Sequence, residues 1–245
     1  MTRPKIIADG DCGIAVVFGD KISDTLNRQV HRFTDDLRGK RLVGILDIIP
    51  SYCSVLIHYD PLQIDHTSLV SIIETYVGSS DNQMDEGYDV VYLPVLYGGA
   101  YGMDIGTVAA VNNLTLEDVI RLHTVPYYRI YMIGFKAGFP YLGGLLEALE
   151  TPRLKTPRIK VKAGSVGIAG KQTGIYPQDS PGGWQLIGQM PIPLIDWNHP
   201  DVALLKPGQY VKFYSVDEET YQALLQQVSQ GIYPLKVVRV KEVPK

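Results

Sequence analysis

The chain has 245 residues, a net charge of −3 and a pI near 5.9, a balance that excludes a broad electrostatic footprint for nucleic acid or anionic membrane. Its 45% hydrophobic content suffices for one large domain or two small ones, yet no apolar run approaches the roughly 20 residues of a membrane-spanning helix. The two distant cysteines, Cys12 and Cys53, lack metal-type spacing, and the N-terminus shows no apolar secretory region, so the expected setting is a reducing cytoplasm.

Cys12 to Phe18 reads as a strand bounded by Asp/Gly turns. Ser23 opens a helix on which Leu26, Val30, Phe33 and Leu37 recur at spacings of three or four, with Gly39 as its cap. Leu42 to Ile49 and Tyr52 to Tyr59 are β-rich and joined at Pro50-Ser51, so they read as two strands. Asp65 caps a second helix, which carries Leu69, Ile72, Ile73 and Tyr76 and ends at Gly78; Ser79 to Gly87 has a linker's composition, and Tyr88 to Val95 is a further strand. This order is that of a ferredoxin-like split βαβ sandwich.

Past Pro94 a Gly/Tyr loop precedes two short helices, Asp104 to Val111 and Leu116 to His123, the second opened by a Thr115/Asp118 capping box. The pair has helix-turn-helix length, but Arg121 and His123 alone would face bases, so packing on a barrel is the expected role. From Gly134 to Gly188 glycines are dense and interleaved with aromatics, which suits either backbone built around a site or the bends of a β-barrel. In this region Ile159, Val161 and Ala163 alternate with Arg158, Lys160 and Lys162, predicting one apolar and one cationic strand face. Val202 to Leu205, Tyr210 to Tyr214 and Leu235 to Val240 add strands around a helix at Glu218 to Val228. The fold expected is α+β, with a small α/β domain over 1–87 and a β-barrel over 88–245.

Familiar catalytic motifs fail. Ser165 has Ala163 where a nucleophile elbow needs glycine, and Gly164 to Lys171 is one residue too long for a phosphate-binding Walker loop, with Gln172 following the lysine. Gly167, Gly170 and Lys171 are still able to present amides and a cation to an anion. His31, His58, His66, His123 and His199 are scattered, so no zinc site is expected; His123, nearest the glycine-rich region, is the acid/base candidate, with a structural role as the alternative. Asp104, Asp179 and Asp196 flank the same region and serve either to orient a base or to cap turns. Tyr141, Tyr176, Trp184 and Gln185 form either the walls and polar group of a small-molecule pocket, suited to a lactam or ureido group, or ordinary barrel packing.

The segments PVLYGGAYGMDI, VIRLHTVPYYRIYMIGF, GFKAGFPYLGGL, PRLKTPR, AGSVGIAGKQTGIYP, SPGGWQLIG and LLKPGQYVKFY, in that order, resemble the B subunit of bacterial 5-oxoprolinase. That family also holds the histidine-kinase inhibitor KipI and proteins called allophanate hydrolase subunit 1. The resemblance implies a ferredoxin-like N-terminal domain, a cyclophilin-like barrel, and partner A and C subunits. With these the chain would cleave 5-oxo-L-proline to L-glutamate at the expense of ATP hydrolysed by the complex. It points to a site in which Gly164, Ser165, Gly167, Lys171, Gln172 and Thr173 form an anion-holding loop, Tyr176, Trp184 and Gln185 contact the ligand, and His123 does acid/base or orienting work. A non-catalytic regulator of a sensor histidine kinase is the alternative function. The chain departs from the family pattern at Leu96, Ala100, Met103 and Ala137, and Ala100 replaces a glutamate common there.

Overall fold

The structure is a computed structural model that describes residues 3–77, 87–197, 202–232 and 235–243. It divides into two compact units, Met1–Asp85 and Glu86–Lys245. Gly78, most of the linker stretch from Ser79 and His199 lie outside the described residues. Among the described residues no helix is long and apolar enough to cross a membrane.

The first unit runs β1 (Lys5–Ala8), β2 (Gly13–Val17), α1 (Asp24–Gly39), β3 (Ile45–Pro50), β4 (Ser54–Tyr59) and α2 (His66–Val77), with sheet order β1-β2-β4-β3. Ser23 caps α1 by accepting the Leu26 N–H at 3.2 Å. The apolar stripe then buries Val30, Phe33 and Leu37 against Ile14, Val16, Val55 and Ile57 of the sheet. Two polar side chains of α1 are buried here, Thr34, whose hydroxyl donates to the Val30 carbonyl, and Asn27. Asn27 donates to the carbonyls of Ser51 and Tyr52 and so ties the β3–β4 turn to the helix. Antiparallel β4 lies between β2 and β3, which is the split βαβ arrangement. The edge beside β2 is filled by β1, which pairs with it from Lys5↔Val17 to Ala8↔Ile14. The strand at Tyr88, expected to complete this sandwich, belongs to the second unit instead; a four-residue strand at the chain start was close enough to make a hairpin and took its place.

The second unit comprises β5 (Tyr88–Tyr97), α3 (Ile105–Asn112), α4 (Leu116–Thr124), β6 (Tyr128–Ile133), β7 (Pro140–Gly143), a 3₁₀ turn (Glu147–Leu149), β8 (Arg158–Val161), β9 (Ser165–Ala169), β10 (Gln172–Ile175), β11 (Ser180–Gly182), β12 (Gln185–Gln189), β13 (Tyr210–Ser215), α5 (Glu218–Ser229) and β14 (Lys236–Val240). The order β12-β9-β10-β7-β6-β13-β5 closes on itself through Gly188↔Tyr97 and Gln189↔Leu96, a barrel of seven strands. Closure has a steric condition. A Cβ on Gly188 would stand 2.6 Å from Val95 and 2.8 Å from the Leu96 carbonyl, so the seam admits only glycine. Inside lie Leu93, Val95, Ile130, Leu142, Val166, Ile168, Ile175, Ile187, Val211 and Phe213, and α3 and α4 add Val108, Ala109 and Val119 to the same core.

Two strand expectations need correction. Ile159 is 92% exposed while Val161 is 1%, because β8 pairs only with the three-residue β11 and that ribbon is too narrow to cover a whole face. Val202 to Leu205 forms a single bridge, Ile195↔Ala203, rather than a strand; its pairing stops at the Lys206-Pro207-Gly208 turn. The capping box is formed, with the Asp118 N–H reaching Thr115 Oγ1 at 3.0 Å and the Thr115 N–H reaching Asp118 Oδ2 at 3.4 Å. Thr115→Ala is therefore expected to cost about 1 kcal/mol, read as a fall in melting temperature of roughly 2–4 °C.

Candidate functional site

His123 stands in the last turn of α4 with no exposed surface, stacked on Phe213 at 4.7 Å. Its ring is held at both ends: Nδ1 lies 2.8 Å from the Tyr97 hydroxyl and Nε2 lies 2.8 Å from Thr173 Oγ1. The protons can be placed by elimination. Thr173 spends its hydroxyl proton on the Gly167 carbonyl at 3.0 Å, so Oγ1 accepts from Nε2–H, and Nδ1 accepts from Tyr97. The result is a neutral imidazole in one tautomer, in a chain that ends on a carbonyl and hands no proton onward. Burial pushes the His123 pKa down to about 3 and the Tyr97 hydroxyl well above its ordinary value.

The stretch from Gly164 to Thr173 is a β-hairpin rather than a loop. β9 pairs with β10 on one side and β12 on the other, and the Gly164, Ser165 and Gly170 amides donate to the Tyr176, Lys162 and Thr151 carbonyls. Alternating apolar residues carried this signal, and the glycines obscured it. Lys171 sits at the exposed hairpin tip, 3.6 Å from Glu150, with Gln172 half-buried beside it.

Along β9 and β10 the residues alternating with core-facing Val166, Ile168 and Ile175 face outward. There Gly167 and Gly174 leave a floor on which the Trp184 side chain lies; added Cβ atoms would stand 3.1 Å from it at both positions. Phe139 packs edge-on to Trp184 at 5.8 Å, to Tyr176 at 6.1 Å and to Tyr141 at 5.3 Å. Tyr176, Leu186 and Val161 bury a small cluster of their own, with Trp184 against it. Thus Tyr141, Tyr176 and Trp184 come together as expected, organised by Phe139, which sequence reasoning passed over. Exposed Phe135 extends the row at 6.1 Å, held at φ 62 in the loop before β7, a conformation that costs a bulky residue energy.

Gln185, one residue on, reaches elsewhere: its Nε2 donates to the Pro152 carbonyl at 2.9 Å. Among the described residues its buried Oε1 has no hydrogen-bond partner. A segment from Pro152 to Arg158 straps this end of the barrel, with the Leu154 N–H on the Gly183 carbonyl and the Arg158 guanidinium on the Trp184 carbonyl at 3.3 Å. Arg158 also meets Asp104 at 2.7 Å, and the other Asp104 oxygen accepts the Leu186 N–H at 2.7 Å. Asp104 therefore joins α3, β8 and β12. Burial raises the pKa of the Tyr176 hydroxyl, and the Trp184 backbone with the charges of Arg153 and Arg158 opposes the rise. Among the described residues no group of three His, Cys, Asp or Glu is placed to hold a metal.

Comparison with known proteins fits this architecture. The family described as carboxyltransferase domain, subdomain C and D, matches residues 4–205. The B subunit of Bacillus subtilis 5-oxoprolinase is 38% identical over 224 residues, covering 87% of this chain and 93% of that protein. The chain belongs to the family of 5-oxoprolinase B subunits. The family's Haemophilus influenzae member is 56% identical over 123 residues, 50% of this chain and 58% of that protein. Among solved structures, TTHA0988 superposes with a TM-score of 0.75 at 36% identity over 84% of this chain, which spans 40% of that longer chain. The family's fold is thus the cyclophilin-like barrel preceded by a small α/β unit.

Proposed function

We propose that the protein is the B subunit of an ATP-dependent 5-oxoprolinase that, with A and C subunits, hydrolyses 5-oxo-L-proline to L-glutamate. The observation that carries this reading is the similarity to the B. subtilis protein across 93% of its length. The ligand is placed on the outer barrel wall at Trp184 and Tyr176, and the C subunit closes over it. A flat lactam ring suits an aromatic platform. Exposed Phe135 and Ile159 supply apolar surface for the partner.

In this reading His123 is a positioning residue. Through Thr173 it fixes the Gly167 carbonyl, and with it the strand pair that floors the tryptophan. Opening a stable lactam requires activation, which ATP consumption by the complex supplies. The amides of Gly164, Ser165 and Gly170 are engaged within the barrel, so no phosphate of ATP is assigned to this hairpin.

The test is ATP-dependent glutamate release from 5-oxoproline by the mixed A, B and C subunits, with each omitted in turn. Activity is expected to vanish without this chain. Trp184→Ala is expected to lower kcat/KM by about five- to 150-fold, since ring stacking on an aromatic is worth roughly 1–3 kcal/mol. A folded, complete mixture that releases no glutamate would overturn the reading.

A further inference from the structure

The sheet of the first unit ends on β3, the outermost strand of the order β1-β2-β4-β3. Its sequence, Ile45-Leu46-Asp47-Ile48-Ile49-Pro50, is apolar and β-prone, and Leu46 and Ile49 are 58% and 42% exposed, the properties of a strand that recruits another. The register tells which backbone groups face outward. The Ser51 N–H donates to the Ser54 carbonyl at 2.8 Å, and Ile49↔Leu56 and Asp47↔His58 continue the same register. By antiparallel alternation these residues bond to β4, while Ile48 and Pro50 turn their backbone groups away from it. Pro50 has no N–H to offer, and the bulge between Ile45 and Asp47 breaks the ladder on the other side. Of β3, Ile48 alone therefore presents both a donor and an acceptor to the free edge in regular strand geometry. Both groups are already engaged. The Ile48 N–H donates to Asp47 Oδ1 at 2.7 Å, and the Ile48 carbonyl accepts from Nη2 of Arg38, in the last turn of α1, at 2.6 Å. The two side chains stand where the carbonyl and N–H of an added strand would bond.

We propose that Arg38 and Asp47 close the outer edge of β3 against a second copy of this chain, which would otherwise add there as an antiparallel strand with the two Ile48 residues facing each other. Pairing about that residue is two-fold symmetric and is made by two bonds, each running from one Ile48 N–H to the other Ile48 carbonyl. It would also set the Asp47 carboxylate of each copy opposite the apolar Ile49 of the other, a second obstacle in the native sequence. Each bond needs a free N–H and a free carbonyl. Removing Asp47 alone leaves both carbonyls occupied, and removing Arg38 alone leaves both N–H groups occupied. The edge opens only when both contacts are gone.

The experiment is sedimentation velocity on the 245-residue chain over a concentration series, with hydrogen exchange at the Ile48 amide measured on the same samples. Asp47→Ala and Arg38→Met, the latter keeping an unbranched stem on α1, are each expected to sediment as wild type does. The double variant Arg38→Met/Asp47→Ala is expected to self-associate about tenfold or more tightly than wild type, and its Ile48 amide to gain protection as concentration rises. Asp47→Asn retains an acceptor, so Arg38→Met/Asp47→Asn should stay as wild type. A folded double variant that sediments like wild type, a single variant that associates as tightly as the double, or association that leaves the Ile48 amide unprotected overturns the proposal. If the double variant does not fold, Asp47→Ala decides alone. Its Ile48 amide is expected to exchange about tenfold or more faster than in wild type, and equal rates would mean that Asp47 closes nothing.

Discussion

Asp104→Ala is expected to destabilise the barrel unit by about 3 kcal/mol or more, at the lower end of what breaking a buried ion pair costs. Asp104 is 8% exposed, and its two oxygens serve the Arg158 guanidinium and the Leu186 N–H at 2.7 Å each. Removing the carboxylate leaves a mostly buried cation and a buried amide with no acceptor. Chemical denaturation would show a lower midpoint with an unchanged slope. The Trp184 emission should also shift, because Arg158 holds the carbonyl of that residue. The double variant Asp104→Ala/Arg158→Ala separates a pair from two independent sites: it should be less destabilised than the sum of the single changes. A single variant within about 1 kcal/mol of wild type would remove the hub role.

The second large effect is a dependence of stability on acid. His123 has a folded-state pKa of about 3 because burial excludes the charged ring, whereas the unfolded chain holds a histidine near 6.5. Between those values the unfolded state binds the extra proton, so stability falls as pH falls, at up to about 1.4 kcal/mol per unit. On going from pH 7 to pH 5 the loss from this one residue is about 2 kcal/mol. In His123→Gln, which retains an N–H for Thr173, that portion of the pH dependence should disappear even though the variant starts from lower stability. Equal slopes for the two proteins over this interval would mean that His123 gains a proton in the folded state.

Much of this could be read from the chain. Val30, Phe33 and Leu37 fall into the first core as their spacing requires, and the Thr115 cap is formed with aspartate in place of the commoner glutamate. Tyr176 and Trp184 meet as expected. The failures share a cause. Whether Tyr88 to Val95 completes the first sheet or starts the second depends on which partner reaches it, and local pattern is silent on that. Gly164 to Thr173 looked like a loop because glycines in a strand resemble turn residues until the tryptophan that needs their bareness is seen above them. The His123 chain joins residues from α4, β5 and β10, which are far apart in sequence. Histidine at the end of a helix gave no sign of whether it faced water or core.

The strand β5 also shapes how the molecule is made. It pairs along one side with parallel β13 and along the other with β14 and β12, all of which leave the ribosome long after it. At roughly 5–20 residues per second, the wait for β13 is on the order of ten seconds. For most of that time, until β12 has been made, an apolar strand that will later form the barrel's closing seam has none of its sheet partners. The hairpins β6–β7 and β9–β10 close locally and early, but the ring cannot close around them until synthesis is nearly complete. A chain that stops before Tyr210 therefore holds most of the barrel's residues with β5 bare along its parallel side, which marks such products for aggregation or degradation.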